Sequence, residues 1–199
     1  MSATRMLVLG VVRMRGEAHG YQVRQDLQLW AADKWANTKP GSIYHALKKL
    51  AADNLLEAVE ASSDLGPDRV VYRITEQGEG EFFYLLNDAV SNVDAGPAMF
   101  NAALPFVTTL ERNTLAFLLK SRLQQVQATA GQTQLLIDST IAGSEGEPGK
   151  PPHIREMFQY WFATTEAEAA WLRDFIDRVQ GGEYTFAGEN EPAFGSPPR

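Results

Sequence analysis

The sequence contains no cysteine, and only three of its 199 residues are histidine. Disulfide bonds and cysteine-ligated metal sites are therefore excluded. The histidines, His19, His45 and His153, are not spaced as a metal-binding pair. The sequence also lacks a phosphate-binding glycine loop, a Gly-x-Ser-x-Gly turn and a cysteine nucleophile. These absences indicate a protein that is not an enzyme and that needs no metal or cofactor.

Long apolar runs are also absent. The most apolar stretch near the N-terminus, residues 6–12, is interrupted by Arg13 and is too short for a membrane span or for the core of a signal peptide. We therefore expect a cytoplasmic protein without a membrane partner. A hydrophobic content of 44% is ordinary for a globular chain with its own core.

Basic residues are in the minority, and the formal net charge of -7 argues against a nucleic-acid partner for the chain as a whole. The charge is unevenly distributed, however. Residues 1–86 sum to -1, whereas residues 87–199 sum to -6. Because binding depends on the local field, a basic face in the first half remains compatible with DNA binding.

The segment from Lys39 to Leu50 has the clearest amphipathic pattern in the chain. At 100° per residue, its apolar and polar members fall on opposite sides of a helix. The side expected to be buried comprises Ile43, Ala46, Leu47 and Leu50, and the side expected to be exposed comprises Gly41, Tyr44, His45, Lys48 and Lys49. Pro40 suits the first helical turn, and Asn37 or Thr38 is expected to provide the N-cap.

The flanking patterns predict two helices before this segment, and two strands and a further helix after it. The predicted helices cover residues 5–14, 21–32 and 76–86, with a break at residues 16–20 and with Thr75 as the N-cap of the last one. The predicted strands cover residues 55–61 and 69–75 and are joined by the turn-rich residues 62–68. This order is that of a winged helix-turn-helix domain with a two-stranded wing.

The C-terminal half predicts two long amphipathic helices, over residues 110–141 and 153–180, each about 45 Å long. Such lengths exceed what a small core requires, so we expect these helices to pack against a second subunit. The residues expected at that interface are Leu115, Leu118, Leu119, Leu123, Trp161, Leu172, Phe175 and Ile176. The predicted fold class is thus mainly α, with a winged helix-turn-helix domain over residues 1–95, a helical dimerisation or effector domain over residues 96–182 and a flexible tail over residues 183–199.

Several motifs, in this order, resemble the PadR family of bacterial transcriptional regulators. They are His19-Gly20-Tyr21, Gly41-Ser42-Ile43-Tyr44, Leu47-Lys48-Lys49-Leu50 and the run from Tyr72 to Gly78. The C-terminal half is similar in plan to the longer members of the family, through residues 100–104 and 120–123. His45 stands where many members have proline, and Asp68-Arg69 where a second basic residue is common. These departures bear on the operator sequence and on how the wing contacts DNA.

The resemblance implies a homodimer that binds a palindromic operator, usually as a repressor and often released by a small aromatic molecule. The DNA-binding residues it indicates are Lys39, Ser42, Tyr44, His45, Lys48, Lys49, Arg69 and Arg73. Periodicity alone is equally compatible with a solvated helix face, and the two arginines are equally compatible with cross-strand ion pairs to Asp68 or Glu57.

An aromatic effector is predicted to contact Trp30, Phe158, Trp161 and Trp171, although simple burial would also explain these side chains. The alternative function is a winged-helix protein-interaction module that acts through the long helices without DNA. The acidic C-terminal half favours that alternative.

Overall fold

The computed structural model describes residues 2–36, 38–61, 69–141 and 151–189, and for residues 60, 61, 69 and 141 only the backbone. The chain divides into two compact units. Unit 1 comprises Met1–Leu115 and Tyr184–Arg199, and unit 2 comprises Ala116–Glu183. Among the described helices, none combines the length and the apolar character needed to cross a bilayer.

Unit 1 consists of six helices, three strands and two 3-10 turns in its described part. The helices are α1 (Ala3–Arg15), α2 (Gly20–Leu29), α3 (Ala32–Trp35), α4 (Pro40–Ala52), α5 (Glu76–Ser91) and α6 (Pro97–Ala103). The strands are β1 (Glu17–His19), β2 (Leu56–Ala61) and β3 (Arg69–Ile74), and the 3-10 turns cover Val93–Ala95 and Leu104–Thr109. The hairpin connection, residues 62–68, lies outside the described residues, as does Asn37.

The sheet has three antiparallel strands in the order β1-β3-β2. The predicted two-stranded wing is therefore present as β2 and β3, and the sheet has a third strand, β1, that the sequence does not predict. For residues 17–19 the sequence predicts only a break, because three residues carry too little pattern to indicate a strand. They become one through pairing with β3, where Glu17 lies opposite Arg73. The predicted mainly α class, with a winged helix domain and a C-terminal helical region, is confirmed.

Unit 1 extends beyond the predicted boundary at residue 95, because the turn after α6 fills its core. Phe106 is fully buried, and its ring makes edge contacts with Phe82 and Trp30 at centroid distances of 5.5 and 5.6 Å. A Cβ atom at Gly10 would lie 2.4 Å from the Phe106 ring. Because Gly10 has no side chain, the Phe106 ring can pack directly against α1.

The second helix is shorter than predicted. It ends at Leu29, and Ala31 takes a left-handed backbone conformation with φ of 51°. The chain restarts as the short α3, in which Trp35 donates its indole N–H to the carbonyl oxygen of Trp30 at 3.0 Å. This bend, together with α3, leads the chain from the end of α2 to the start of α4.

Residues 184–189 belong to the segment predicted as a flexible tail, but they pack within unit 1. Phe186 is fully buried, and its ring lies under the guanidinium of Arg112 at 4.7 Å. The same guanidinium donates to both carboxylate oxygens of Glu189, at 2.8 and 2.9 Å, which lowers the pKa of that carboxyl. The guanidinium of Arg112 thus contacts both the ring of Phe186 and the carboxylate of Glu189, which are far away in sequence. The remainder of the predicted tail, residues 190–199, lies outside the described residues.

Unit 2 contains most of α7 (Arg112–Ile141) and all of α8 (Pro152–Gln180), close to the predicted bounds. Within the unit, Arg122 of α7 donates to Glu168 of α8 at 2.8 Å, and the arginine side chain is only 3% exposed. Five of the eight residues predicted for dimerisation are buried within the single chain, namely Leu115, Leu119, Leu172, Phe175 and Ile176. Leu118 and Leu123 are half-buried, and Trp161 is exposed. An amphipathic stripe does not reveal whether it faces its own chain or a partner.

Candidate nucleic-acid interface

Helix α4 carries most of the predicted DNA-binding residues and is seated by its apolar side. Ile43, Leu47 and Leu50 are buried, whereas Ala46 is half-buried. The N-cap is Lys39 rather than Thr38, no side chain caps the helix, and Pro40 occupies its first position. Thr38 is buried instead, where its hydroxyl lies 3.4 Å from that of Thr4. The start of α4 therefore leaves its first-turn amide groups uncapped.

The opposite side of α4 faces outward, as its periodicity predicts. The exposed residues are Lys39, Tyr44, His45, Lys48 and Lys49. Ser42 is half-buried, and its hydroxyl donates to the carbonyl oxygen of Lys39 at 2.6 Å. The serine oxygen keeps only acceptor capacity for any external partner.

The outward residues of α4 divide between two clefts, one on each flank of the helix. Tyr44 and Lys48 line a cleft of about 700 Å³ that is closed on its far side by the start of α2 and by β3. His45 and Lys49 line a smaller cleft of about 270 Å³ next to the start of α1. A helix lying in the major groove has one sugar-phosphate strand on each side, so two flanking clefts with one lysine each match that geometry.

Two residues at the start of α2 set the position of Tyr44. A Cβ atom at Gly20 would lie 2.6 Å from the Tyr44 ring, so glycine is what allows the ring to pack there. His19 caps α2 in a reciprocal arrangement with Gln22, whose side chain accepts from the His19 amide at 2.8 Å. The His19 ring nitrogen Nδ1 lies 3.2 Å from the carbonyl oxygen of Val70 and so ties α2 to β3.

Arginine and lysine are used differently in unit 1. Five of the six arginines whose side chains are described form ion pairs, which are Arg5 with Asp53 and Glu81, Arg13 with Glu79, Arg15 with Asp26, Arg73 with Glu17, and Arg112 with Glu189. The Arg15 pair is bidentate, at 2.6 and 2.8 Å, and the hydrogen bond to Asp26 raises the pKa of Arg15. These fork geometries suit arginine and hold the fold together.

The lysines of unit 1 remain available to an external partner. Lys34, Lys39, Lys48 and Lys49 are exposed, and none has an ion-pair partner within the described ranges of the chain. Three of the four lie on or at the start of α4. The local field at this face is therefore positive although the protein carries an overall charge of -7.

Arg24 is a candidate that the sequence reasoning missed. It is the one described arginine of unit 1 without an ion pair, and it lines a cavity of about 400 Å³ together with Pro40 and Ile43 at the start of α4. On the sequence, Arg24 is an ordinary charged residue of an amphipathic helix. Only the packing of α2 against α4 brings it close to the basic face.

Of the two predicted wing contacts, Arg73 does not join this face. Val70 and Tyr72 line the larger cleft, and strand alternation places Arg73 on the other side of the sheet. Arg73 bonds to Glu17 at 2.5 Å, with Glu57 opposite it on β2, so two acids flank this arginine. The side chain of Arg69 lies outside the described residues, and its backbone pairs with Ala61.

The residues predicted to contact an effector are distributed over both units. Trp30 belongs to unit 1, where its ring contacts Phe106. Phe158, Trp161 and Trp171 belong to α8, where Phe158 is buried against the Trp161 ring and Trp171 contacts Phe175. Ten residues of helix separate the two tryptophans by about 15 Å. Within unit 2 they do not form one pocket, and an effector site at these residues stays a prediction.

Acidic and histidine side chains form no cluster of three that is suitable for a metal ion in the ranges that the structure covers.

Comparison with known families gives a match in the N-terminal region. Residues 8–83 match the family model described as the transcriptional regulator PadR-like family. No curated protein shows significant sequence similarity to the chain.

Several solved structures are similar to this chain. PadR from Bacillus subtilis in complex with operator DNA is 18% identical, with a TM-score of 0.40 and coverage of 88% of this chain and 98% of that one. The smu.1604c protein from Streptococcus mutans UA159 is 21% identical, with a TM-score of 0.40 and coverage of 88% and 99%. Bacillus subtilis PadR in complex with p-coumaric acid is 17% identical, with a TM-score of 0.37 and coverage of 90% and 98%.

Proposed function

We propose that this chain regulates transcription as a homodimer that binds a palindromic operator in double-stranded DNA and acts as a ligand-responsive repressor. The match of residues 8–83 to the PadR-like family of transcriptional regulators supports this proposal. The family assignment itself confirms a transcriptional regulator rather than an enzyme. The observation that carries the DNA-binding part is the set of unpaired lysines on the outward side of α4.

In this proposal α4 enters the major groove, and its two flanks face the two backbones. Lys48 and Lys49 neutralise phosphates, because an ammonium group is a compact charge without a planar fork. Lys39 and Arg24 add positive charge at the start of the helix. Tyr44, His45 and Ser42 then supply contacts to base edges or sugars. We do not assign Arg73 a contact with DNA, because Glu17 already holds it.

The test is a salt titration of binding to a labelled duplex from the region upstream of the gene. The logarithm of the binding constant should fall steeply with the logarithm of salt concentration. Lys48→Ala or Lys49→Ala should reduce that slope by about one per bound chain. Lys120→Ala, which changes an exposed lysine of α7, is the matched control and should leave the slope as it was.

A flat salt response, or the same slope in all four proteins, would contradict DNA binding through α4. Capture of a stable protein partner together with no retention on DNA at low salt would instead support the protein-interaction module.

The homodimer part of the proposal relies on apolar side chains that unit 2 leaves exposed. Phe117 and Leu135 on α7 are 71% and 70% exposed, and Tyr160 on α8 is 68% exposed. Trp161 is also exposed. Large aromatic and aliphatic groups in such positions are typical of surfaces that bind another protein. A palindromic operator with half-sites about 34 Å apart is the DNA that suits a dimer related by a two-fold axis.

Light scattering after size-exclusion chromatography measures this directly. The wild type should have twice the mass of one 22.0 kDa chain. Phe117→Glu or Trp161→Glu should shift the protein toward the monomer, since a charge would then be desolvated in the interface. Ala163→Glu, at another exposed position of α8, is the control. If the wild type is a monomer, the proposed homodimer and its binding to a palindromic operator are contradicted.

The ligand response and the sign of regulation are the parts that the family resemblance implies. Quenching of tryptophan fluorescence by candidate aromatic compounds tests the first. A reporter gene behind the upstream region tests the second, since a repressor lowers its expression and an added effector restores it.

A further inference from the structure

The three histidines of the chain lie in different surroundings. The ring of His19 is held within unit 1, where Nδ1 lies 3.2 Å from the carbonyl oxygen of Val70 and the Tyr21 ring is stacked at a centroid distance of 5.6 Å. His153 is exposed near the start of α8, in unit 2. His45 is exposed on the outward side of α4, and its ring has no hydrogen-bond partner within the described part of the chain. The ring of His45 is therefore the one that DNA lying against α4 would meet.

The charged neighbours of His45 on its own helix are all positive. Lys48 and Lys49 follow three and four residues later, so they are neighbours of the ring on the helix surface. Helix α4 contains neither aspartate nor glutamate. The ring therefore has two cations beside it and no acid on the same helix.

Helix α1 supplies the opposite wall of the smaller cleft, the one that His45 lines, and it adds a third cation. Arg5 lines this cleft, and none of the described residues that line it is acidic. The guanidinium of Arg5 binds Asp53 at 2.9 Å and Glu81 at 3.3 Å. Neither carboxylate lines the cleft or forms an ion pair with His45 in the part of the chain that the structure describes. No acid of α1 or α4 thus neutralises a charge on the ring.

These surroundings decide the direction in which DNA affects protonation. In the free protein, the neighbouring lysines oppose a positive charge on the His45 ring. Bound DNA brings phosphates to the same face, and their negative charge favours the protonated ring. Histidine is the side chain that ordinarily changes charge within the physiological pH range. Protonation of His45 and binding of DNA should therefore strengthen each other, because such coupling is reciprocal.

We propose that this chain binds DNA with His45 protonated, so that each bound chain takes up as much as one proton and DNA affinity rises as the pH falls from about 8 to about 6. Both ring nitrogens then carry hydrogen. The nitrogen nearer the duplex donates to an acceptor, which is either a phosphate oxygen or the N7 or O6 atom of guanine. A neutral ring has only one N–H group and no charge, so its contact is weaker. The proton linkage rests on the proposed function, because it requires α4 to face DNA.

Fluorescence anisotropy of the labelled duplex at constant ionic strength measures the linkage. From about pH 8 to about pH 6, the logarithm of the wild-type binding constant should rise by at most about one per chain for each pH unit, since one ring takes up one proton. His45→Gln, which cannot be protonated, should bind equally at both ends of the range. His45→Lys, which keeps its charge throughout, should also be independent of pH and should bind more tightly than His45→Gln. His153→Gln changes an exposed histidine of unit 2 and should keep the wild-type dependence.

Isothermal titration calorimetry counts the protons directly. At about pH 7, within the range in which histidine titrates, the binding enthalpy is measured in two buffers that differ in their enthalpy of ionisation. The wild type and His153→Gln should take up protons on binding the duplex, and His45→Gln should take up none. Because His45 is exposed, the melting temperatures of its variants should equal that of the wild type, which confirms that they are folded.

Two further titrations distinguish the two acceptors. If the acceptor is a phosphate, the salt slope at about pH 6 should exceed that at about pH 8 by at most about one per chain, and the pH dependence should be the same on a duplex of unrelated sequence. If the acceptor is guanine, the pH dependence should disappear on a duplex that contains only A·T pairs, because adenine offers N7 but has a donor in place of O6.

Two results would overturn the proton linkage and leave the proposed function intact. They are equal DNA affinity of the wild type at both ends of the pH range, and a pH dependence that persists unchanged in His45→Gln, which would place the proton on another group. Failure to bind the duplex at every pH and at low salt would contradict the proposed function itself, and the linkage with it.

Discussion

Two glycines of α5 that are separated by a single residue should respond in opposite directions to the same substitution. A Cβ atom at Gly78 would lie 2.0 Å from the carbonyl oxygen of Leu55 and 2.8 Å from a side-chain carbon of Ile74. A Cβ atom at Gly80 would have nothing within 4 Å. Relief at Gly78 requires the backbone of α5 or of residue 55 to move by on the order of 1 Å, since non-bonded carbon contacts settle near 3.5 Å. That movement would disturb the hydrogen bond from the Thr75 amide to Leu55, which is 3.1 Å long.

The magnitudes decide the sign at each position. Overpacking costs about 1 to 3 kcal/mol, and a strained hydrogen bond adds about 1 kcal/mol. Alanine in place of glycine within a helix stabilises the folded state by about 1 kcal/mol, because alanine has the higher helix propensity. Gly78→Ala should therefore destabilise the protein by about 2 kcal/mol, whereas Gly80→Ala should stabilise it by about 0.5 to 1 kcal/mol.

Thermal unfolding followed by circular dichroism at 222 nm measures the difference. For a chain of this size, the two variants should differ in melting temperature by about 5 to 12 °C, with Gly80→Ala the higher. Equal melting temperatures, or a Gly78→Ala variant as stable as the wild type, would refute the assignment of Gly78 to close backbone packing. Either result would also leave glycine at the end of the motif from Tyr72 to Gly78 without a steric cause.

Three further changes test separate parts of the structure. Gly20→Ala should displace the Tyr44 ring from the start of α2 and weaken DNA binding several-fold in the anisotropy assay, while the melting temperature changes little, since the ring can swing into solvent. Glu168→Ala leaves Arg122 buried without this carboxylate and should cost about 1 to 3 kcal/mol in urea unfolding, more than Arg122→Met, which removes the buried charge itself. Because burial raises the pKa of Tyr72, the unfolded chain loses this proton at lower pH than the folded chain, so stability should fall above about pH 10, and the fall should be smaller in Tyr72→Phe.

The local pattern is sufficient for the elements whose burial follows a single period. In α4, the residues assigned to the inner and outer sides by a 100° step have that exposure in the structure, and only Ala46 is intermediate. Thr75 accepts a hydrogen bond from the Gly78 amide at 3.0 Å, as an N-cap should. The bounds of α7 and α8 lie within about two residues of those predicted. In each case the residues that determine the structure are neighbours along the chain.

Features that depend on contacts distant in sequence could not be predicted. The three residues of β1 form a strand only because β3 offers an edge to pair with. Phe106 enters the core of unit 1 because Gly10, almost one hundred positions earlier, leaves room for it. Arg112 and Phe186 also meet although they are far apart in sequence, and neither carries a pattern that points to the other. Residue types alone do not encode such pairs.

The different pairing of arginine and lysine in unit 1 explains how an acidic protein can present a basic face. Arginines of unit 1 lie mostly at positions where a carboxylate from another element meets their planar fork, so most of their charge is neutralised locally. The four described lysines of unit 1 form no ion pair with an acid of the described ranges, and three of them lie on α4 or at its start. A count of charges over the whole chain mixes these two populations and therefore misjudges the field at α4. If this explanation is correct, Arg13→Met should lower stability and leave the salt slope of DNA binding unchanged, because the charge it removes is already paired with Glu79 at 2.8 Å. A lower salt slope in that variant would mean that the paired arginines also contribute to the DNA-facing field, and the separation proposed between structural and DNA-binding cations would be wrong.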